Sequence, residues 1–219
     1  MLPERALARI ALVNLPNRLT LARIVLTVVF VVALLLPASG VVRSVFPWGK
    51  SAALIVFVIA SLTDLWDGHI ARQRKQETSF GALLDPVADK ILTTAAFICF
   101  IQQTDYRGAP LVQAWMVLVI VAREFLVTGL RLVAREQGLV LKVDLHGKQK
   151  TASQMVAIIL VLLGLAARED WHSFGFNPGR FNEVFSIAVF WVMLLTAVLT
   201  VLSGITYLYK NRKLFLQHA

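Results

Sequence analysis

The chain has 219 residues, 58% hydrophobic and 16% charged, with a mean hydropathy of +0.71 and a formal net charge of +9. That balance excludes a soluble domain of this size and leaves an integral membrane protein. A single cysteine, Cys99, excludes an internal disulfide framework and reads as a packing residue in an apolar run.

Helical spans are expected, because a membrane barrel would show short alternating strands. In such a protein a basic balance reports loops facing anionic lipid, and nucleic acid is not an expected partner. No cleavable signal-peptide pattern opens the sequence. Residues 2–13, LPERALARIALV, put Arg5 and Arg9 at i, i+4 beside a stripe of Ala6, Ile10 and Val13. They read as a short amphipathic helix in the membrane interface, with a frayed basic tail as the alternative.

After the punctuation of Asn14-Leu-Pro-Asn17, a first span is expected over about 19–36, ending at Pro37. Asn17, Thr20 and Arg23 are polar at its entry, three apart. They read equally as a cap with a snorkelling arginine or as a polar edge turned to a site. A loop with Pro47, Trp48 and Gly49 leads to span two, about 51–75. Its apolar part, 52–62, is too short to cross alone, so it must continue past Asp64 and Asp67 to Arg72. Carboxylates at that depth are unfavourable and are functional candidates by default. Span three, about 81–101, follows a polar connection, and its Pro86 is expected to be tolerated only near the first turn.

Span four, about 111–136, is interrupted by Arg123 and Glu124. Glu124, Thr128, Arg131 and Arg135 fall on one helical face. Residues 139–151, LVLKVDLHGKQKT, read as a basic loop carrying Lys142, His146, Lys148 and Lys150. Span five is expected over about 151–166, a loop over 168–182, and span six over about 184–209. With six spans and both termini cytoplasmic, Arg43, Lys50, Arg107, Arg168 and Arg180 face outward and Arg123 lies within span four. The remaining 16 of the 22 lysines and arginines face the cytoplasm. One 1–219 membrane domain, all-α, is therefore expected, with no internal repeat.

The chemistry concentrates in residues 64–89. Asp64 and Asp67 are spaced i, i+3, and Asp85 and Asp89 i, i+4, so on helices each pair shares a face. Gly68 and Ala71 keep the face of Asp64 small. Four carboxylates brought together in a low dielectric need cations, and an all-oxygen cluster suits Mg²⁺ or Mn²⁺. Such metals suit displacement at phosphorus, and a carboxylate not fully used as a ligand can take a proton from an attacking hydroxyl. Arg131, Lys148 and Lys150, on the same side of the membrane, offer donors for a second phosphate. The residues thus point to two phosphate-bearing substrates, one a lipid, meeting near the cytoplasmic surface.

The pattern Asp64-x₂-Asp67-Gly68-x₂-Ala71-Arg72-x₈-Gly81-x₃-Asp85-x₃-Asp89 resembles the signature of the CDP-alcohol phosphatidyltransferases, with all eight fixed positions met. Four further blocks resemble the bacterial members that act on sn-glycerol 3-phosphate: NLPNRLTLAR (14–23), AREFLVTGLRL (122–132), GKQKT (147–151) and LSGITYLYK (202–210). The resemblance implies six transmembrane helices, a homodimer, and a site on the cytoplasmic side of the bacterial inner membrane. It implies CDP-diacylglycerol held through its pyrophosphate by two divalent ions. Asp64, Asp67 and Asp85 would be metal ligands, and Asp89 ligand and general base. Gly68, Ala71, Arg72 and Gly81 would line the CDP site, with Asn17, Thr20 and Arg23 near the nucleotide. Arg131, Lys148 and Lys150 would hold the acceptor phosphate. The competing readings are the same chemistry with another acceptor, such as inositol phosphate or serine, an ion-coupled carrier, and a non-enzymatic lipid-binding scaffold. A carrier fits poorly with the missing repeat and the one-sided charges.

Overall fold

Six α-helices, and no strand, make up the regular structure among the described residues: α1 (Leu15–Leu35), α2 (Gly49–Arg74), α3 (Ser79–Ile101), α4 (Ala114–Glu136), α5 (His146–Glu169) and α6 (Pro178–Leu216). The computed structural model describes the backbone of residues 15–35, 47–74, 79–136, 146–170 and 178–216. It describes the side chains of 22–35, 47–63, 90–134, 150–170 and 179–212. The expected interfacial helix at 2–13 lies outside the described residues. The chain forms two compact units, Met1–Ala95 and Ala96–Ala219, with the boundary inside α3.

In the first unit α1 packs against α2. Phe30, Leu34, Ala53 and Phe57 are fully buried, and the Phe30 and Phe57 rings meet at 5.7 Å with a 53° tilt. At the start of α2, Lys50 is buried and its ammonium donates to the Leu34 carbonyl at 2.7 Å. That carbonyl lies in the last turn of α1, where intrahelical donors run out and the helix dipole favours a cation. Lys50, read from the sequence only as an outward-facing charge, is thus a C-terminal cap. α2 continues as one unbroken helix past Asp64 and Asp67 to Arg74.

In the second unit α6 packs against both α4 and α5. Ile158, Leu162, Leu165 and Met193 are fully buried there. The approach of α5 to α6 depends on Gly164, where a methyl group would collide with the Phe185 ring. Phe185 stacks on Phe181 at 5.7 Å and 4°, with the Arg168 guanidinium 5.9 Å from its ring. Between α3 and α4 a tight loop is closed by a Thr104–Pro110 bridge. Asp105 Oδ1 accepts from the Arg107 and Ala109 amides at 2.8 Å each, and Gly108 supplies a φ of +80° that other residues rarely adopt. Arg168 Nη1 ties the loop to α5 through the Thr104 carbonyl at 2.8 Å.

Three expectations need correction. Residues 146–151 are the first turns of α5 and not loop. Lys and Gln favour helix, and the weakest former, Gly147, falls at the start, where it costs least. The expected loop at 168–182 is also shorter, because α5 runs to Glu169 and α6 begins at Pro178. Proline suits a first helical position, since its missing N–H would have no intrahelical partner there. Finally, Pro86 lies well inside α3, beyond the first turn, and the helix continues through it. Membrane helices tolerate interior proline because neighbouring groups satisfy the freed carbonyl.

Two helical segments, Lys150–Glu169 and Gly179–Arg212, are long and apolar enough to cross a membrane among the described residues. Only a third of the most apolar stretch of the second is buried inside the molecule. Val184, Trp191, Leu195 and Ile205 are each about 60% exposed. Apolar residues on every side of a helix, so little covered by protein, suit a hydrocarbon surround.

Candidate active site

The acidic signature falls on two helical segments of the first unit. Asp64, Asp67, Gly68, Ala71 and Arg72 lie in the second half of α2, and Gly81, Asp85 and Asp89 in the first half of α3. The backbone is helical throughout both, so the i, i+3 and i, i+4 spacings put each aspartate pair on one face. The side chains of these eight residues lie outside the described set. Asn17 and Thr20 lie on α1, also without described side chains. Arg23 is half-buried, and its carbonyl accepts from the Thr27 hydroxyl at 2.8 Å. Among the described residues no group of three or more His, Cys, Asp or Glu could hold a metal ion.

The basic candidates belong to the second unit, and the structure separates their surroundings. Arg131 on α4 is exposed, with its guanidinium 5.9 Å from the Tyr207 ring of α6. Lys148 lies in the first turn of α5, its side chain outside the described set. Lys150, two residues on, is buried, and its ammonium pairs with the Glu124 carboxylate of α4. The face read from Glu124 to Arg135 is therefore not uniform: Glu124 is buried while Arg131 is open.

Around that pair lies a polar network that joins three helices. Gln154 Nε2 donates to Glu124 Oε1 at 3.2 Å and approaches Thr200 Oγ1 at 3.5 Å. The Thr200 hydroxyl donates to the Thr196 carbonyl at 2.7 Å. Arg123 Nη2 donates to Ser203 Oγ at 3.0 Å, and Nη1 lies 3.7 Å from Glu124 Oε1. Gly204 gives the Arg123 side chain room, since a Cβ there would stand 3.0 Å from its Cγ. Arg123 Nε and the Tyr207 hydroxyl are buried and have no hydrogen-bond partner among the described residues. Arg123, Gln154, Thr200 and Ser203 carried no role in the sequence reading. The available signal was polar side chains inside runs otherwise long and apolar enough to span.

A sequence profile of the family described as CDP-alcohol phosphatidyltransferase matches residues 13–204. The chain belongs to the CDP-alcohol phosphatidyltransferase family. The match runs from just before α1 into the second half of α6, so it takes in the acidic helices and the polar network alike. The chain is 40% identical over 210 residues to the CDP-diacylglycerol–glycerol-3-phosphate 3-phosphatidyltransferase of Bacillus subtilis, covering 90% of this chain and 95% of the relative. Relatives of the same name from Rickettsia bellii and Salmonella typhimurium are 34% and 36% identical. They cover 92% and 89% of this chain, and 97% and 93% of their own lengths. No solved structure matches the chain.

Proposed function

We propose that this phosphatidyltransferase moves the phosphatidyl group of CDP-diacylglycerol to sn-glycerol 3-phosphate, giving phosphatidylglycerophosphate and CMP. The observation that carries the reading is 40% identity, over 90% of the chain, to a relative named for that reaction. The eight-position acidic signature agrees with it.

In this reading the primary hydroxyl of the acceptor attacks the lipid-bearing β-phosphorus. A new phosphoester bond forms, the phosphoanhydride bond to the α-phosphate breaks, and CMP leaves with the electron pair. Asp89 takes the hydroxyl proton. Asp64, Asp67, Asp85 and Asp89 would hold two divalent ions, Mg²⁺ or Mn²⁺, for which an all-carboxylate donor set on two successive helices is chemically suited. When bound, such ions neutralise phosphate oxygens and the developing charge on the leaving group. Gly68, Ala71, Arg72 and Gly81 line the CDP site, with Asn17, Thr20 and Arg23 at its edge. Arg131, with Lys148 and Lys150, draws in the acceptor phosphate. The whole chain acts as one domain of six spans, a homodimer in the bacterial inner membrane, with both termini and the site on the cytoplasmic side. The one-sided distribution of lysine and arginine supports that orientation.

The test is CMP release by detergent-purified protein given CDP-diacylglycerol and Mg²⁺, with and without sn-glycerol 3-phosphate. Release that requires glycerol 3-phosphate is expected. Release only with a phosphate-free alcohol such as serine would keep the family and replace the acceptor.

A further inference from the structure

We infer that Glu124 is a positioning residue for the acceptor phosphate, acting through the cations it holds; the inference rests on the reading just given. A carboxylate buried in an apolar helix is unfavourable by itself. Glu124 is 5% exposed, and its surroundings are cationic and donor-rich. It pairs with the Lys150 ammonium from α5, accepts from Gln154 of the same helix at 3.2 Å, and lies 3.7 Å from Arg123 Nη1. A carboxylate repels phosphate, so Glu124 itself is no phosphate ligand.

Its place in the charge pattern gives the role. One negative charge lies among Arg123 and Lys150, with Arg131 two turns further along α4, so the cluster keeps an excess of positive charge. Fixing two of those cations from one carboxylate removes their rotamer freedom before an anion arrives. Preorganisation of this kind lowers the cost of binding, because flexible Lys and Arg side chains otherwise lose that freedom on contact. Gln154 extends the hold to Thr200 on α6, so the carboxylate is locked by packing from three helices. Lys150 thereby becomes a cation of fixed position, unlike exposed Arg131.

The experiment compares wild type, Glu124→Gln and Glu124→Asp in steady-state CMP release, varying each substrate in turn. For Glu124→Gln the KM for glycerol 3-phosphate should rise about tenfold or more, since small misplacement of binding groups is costly. The KM for CDP-diacylglycerol should be unchanged, and kcat at saturating acceptor should fall by less than KM rises. Glu124→Asp keeps the charge on a shorter stem and should recover part of the acceptor KM. Equal loss of kcat with both KM values unchanged would mean a purely structural role and would overturn the inference, as would a wild-type acceptor KM in Glu124→Gln. If Glu124→Gln does not purify as a folded protein, Glu124→Asp decides: a several-fold rise in acceptor KM supports positioning, and no rise refutes it. If wild type shows no turnover with glycerol 3-phosphate, the functional reading fails on its own account. The comparison is then made by calorimetry with inorganic phosphate, where weaker binding by Glu124→Asp supports the inference and equal binding refutes it.

Discussion

Replacing Gly164 with alanine tests how closely α5 approaches α6. The added methyl would land within the Phe185 ring, which cannot yield by a few tenths of an ångström and must swing away as a whole. Phe185 is buried, stacks on Phe181 at 5.7 Å and lies under the Arg168 guanidinium at 5.9 Å. Moving it forfeits an aromatic pair and a cation–π contact, each about 0.5–1 kcal/mol, on top of overpacking of about 1–3 kcal/mol. Alanine returns about 1 kcal/mol of helix propensity. The balance is a net loss of about 1–4 kcal/mol, or roughly 2–16 °C in Tm for a chain of this size. Thermal unfolding in detergent, followed by tryptophan fluorescence, measures it. Phe185→Ala should be destabilising alone, and the double variant should lose less than the two single losses added together. A Gly164→Ala protein with unchanged or higher Tm would refute the close approach, because only the helix gain would then remain.

Other consequences are as direct. Asp89→Asn should slow CMP release about 10²–10⁴-fold while leaving the circular dichroism spectrum unchanged; a rate near wild type would remove Asp89 as base. Arg131→Ala should raise the KM for glycerol 3-phosphate about tenfold or more with little change for CDP-diacylglycerol, as expected for a lost charge-assisted bond. An unchanged acceptor KM would place the phosphate elsewhere. Lys50→Met removes the cap on Leu34 and should cost about 1.5–3 kcal/mol in thermal unfolding. Lys50 lies about 21 Å along α2 from Asp64 by helical rise, so turnover at low temperature should be unaffected.

Much of this molecule is legible in the sequence because two of its signals are local. Hydropathy marks apolar helices, since in hydrocarbon the backbone must satisfy itself. The eight-position signature is written along two helical segments, so spacing alone puts each aspartate pair on a face. What sequence could not supply is contact between helices. Glu124 and Lys150 stand in different helices, and no periodicity announces that one neutralises the other. Lys150 therefore looked like a loop cation, when it lies buried on a helix that starts at His146. Lys50 likewise looked like a surface charge, because its partner is a backbone carbonyl 16 residues earlier. Polarity misled at the start of α5 for a related reason: a Lys- and Gln-rich turn is hydrophilic like a loop but has the propensity of a helix.

The Glu124–Lys150 pair also bears on how the protein is made. A carboxylate or an ammonium entering a bilayer by itself is opposed by about 2.5–3.5 kcal/mol on the scale of assisted insertion. α4 is synthesised before α5, so Glu124 must wait for its partner. Arg123, next in sequence and 3.7 Å away in the finished fold, can neutralise it in the interval. In the finished fold Lys150 pairs with the carboxylate, while Arg123 keeps Nη1 3.7 Å from it and donates through Nη2 to Ser203 of α6. The carboxylate thus has one cation beside it on its own helix and a second from the next helix in the chain.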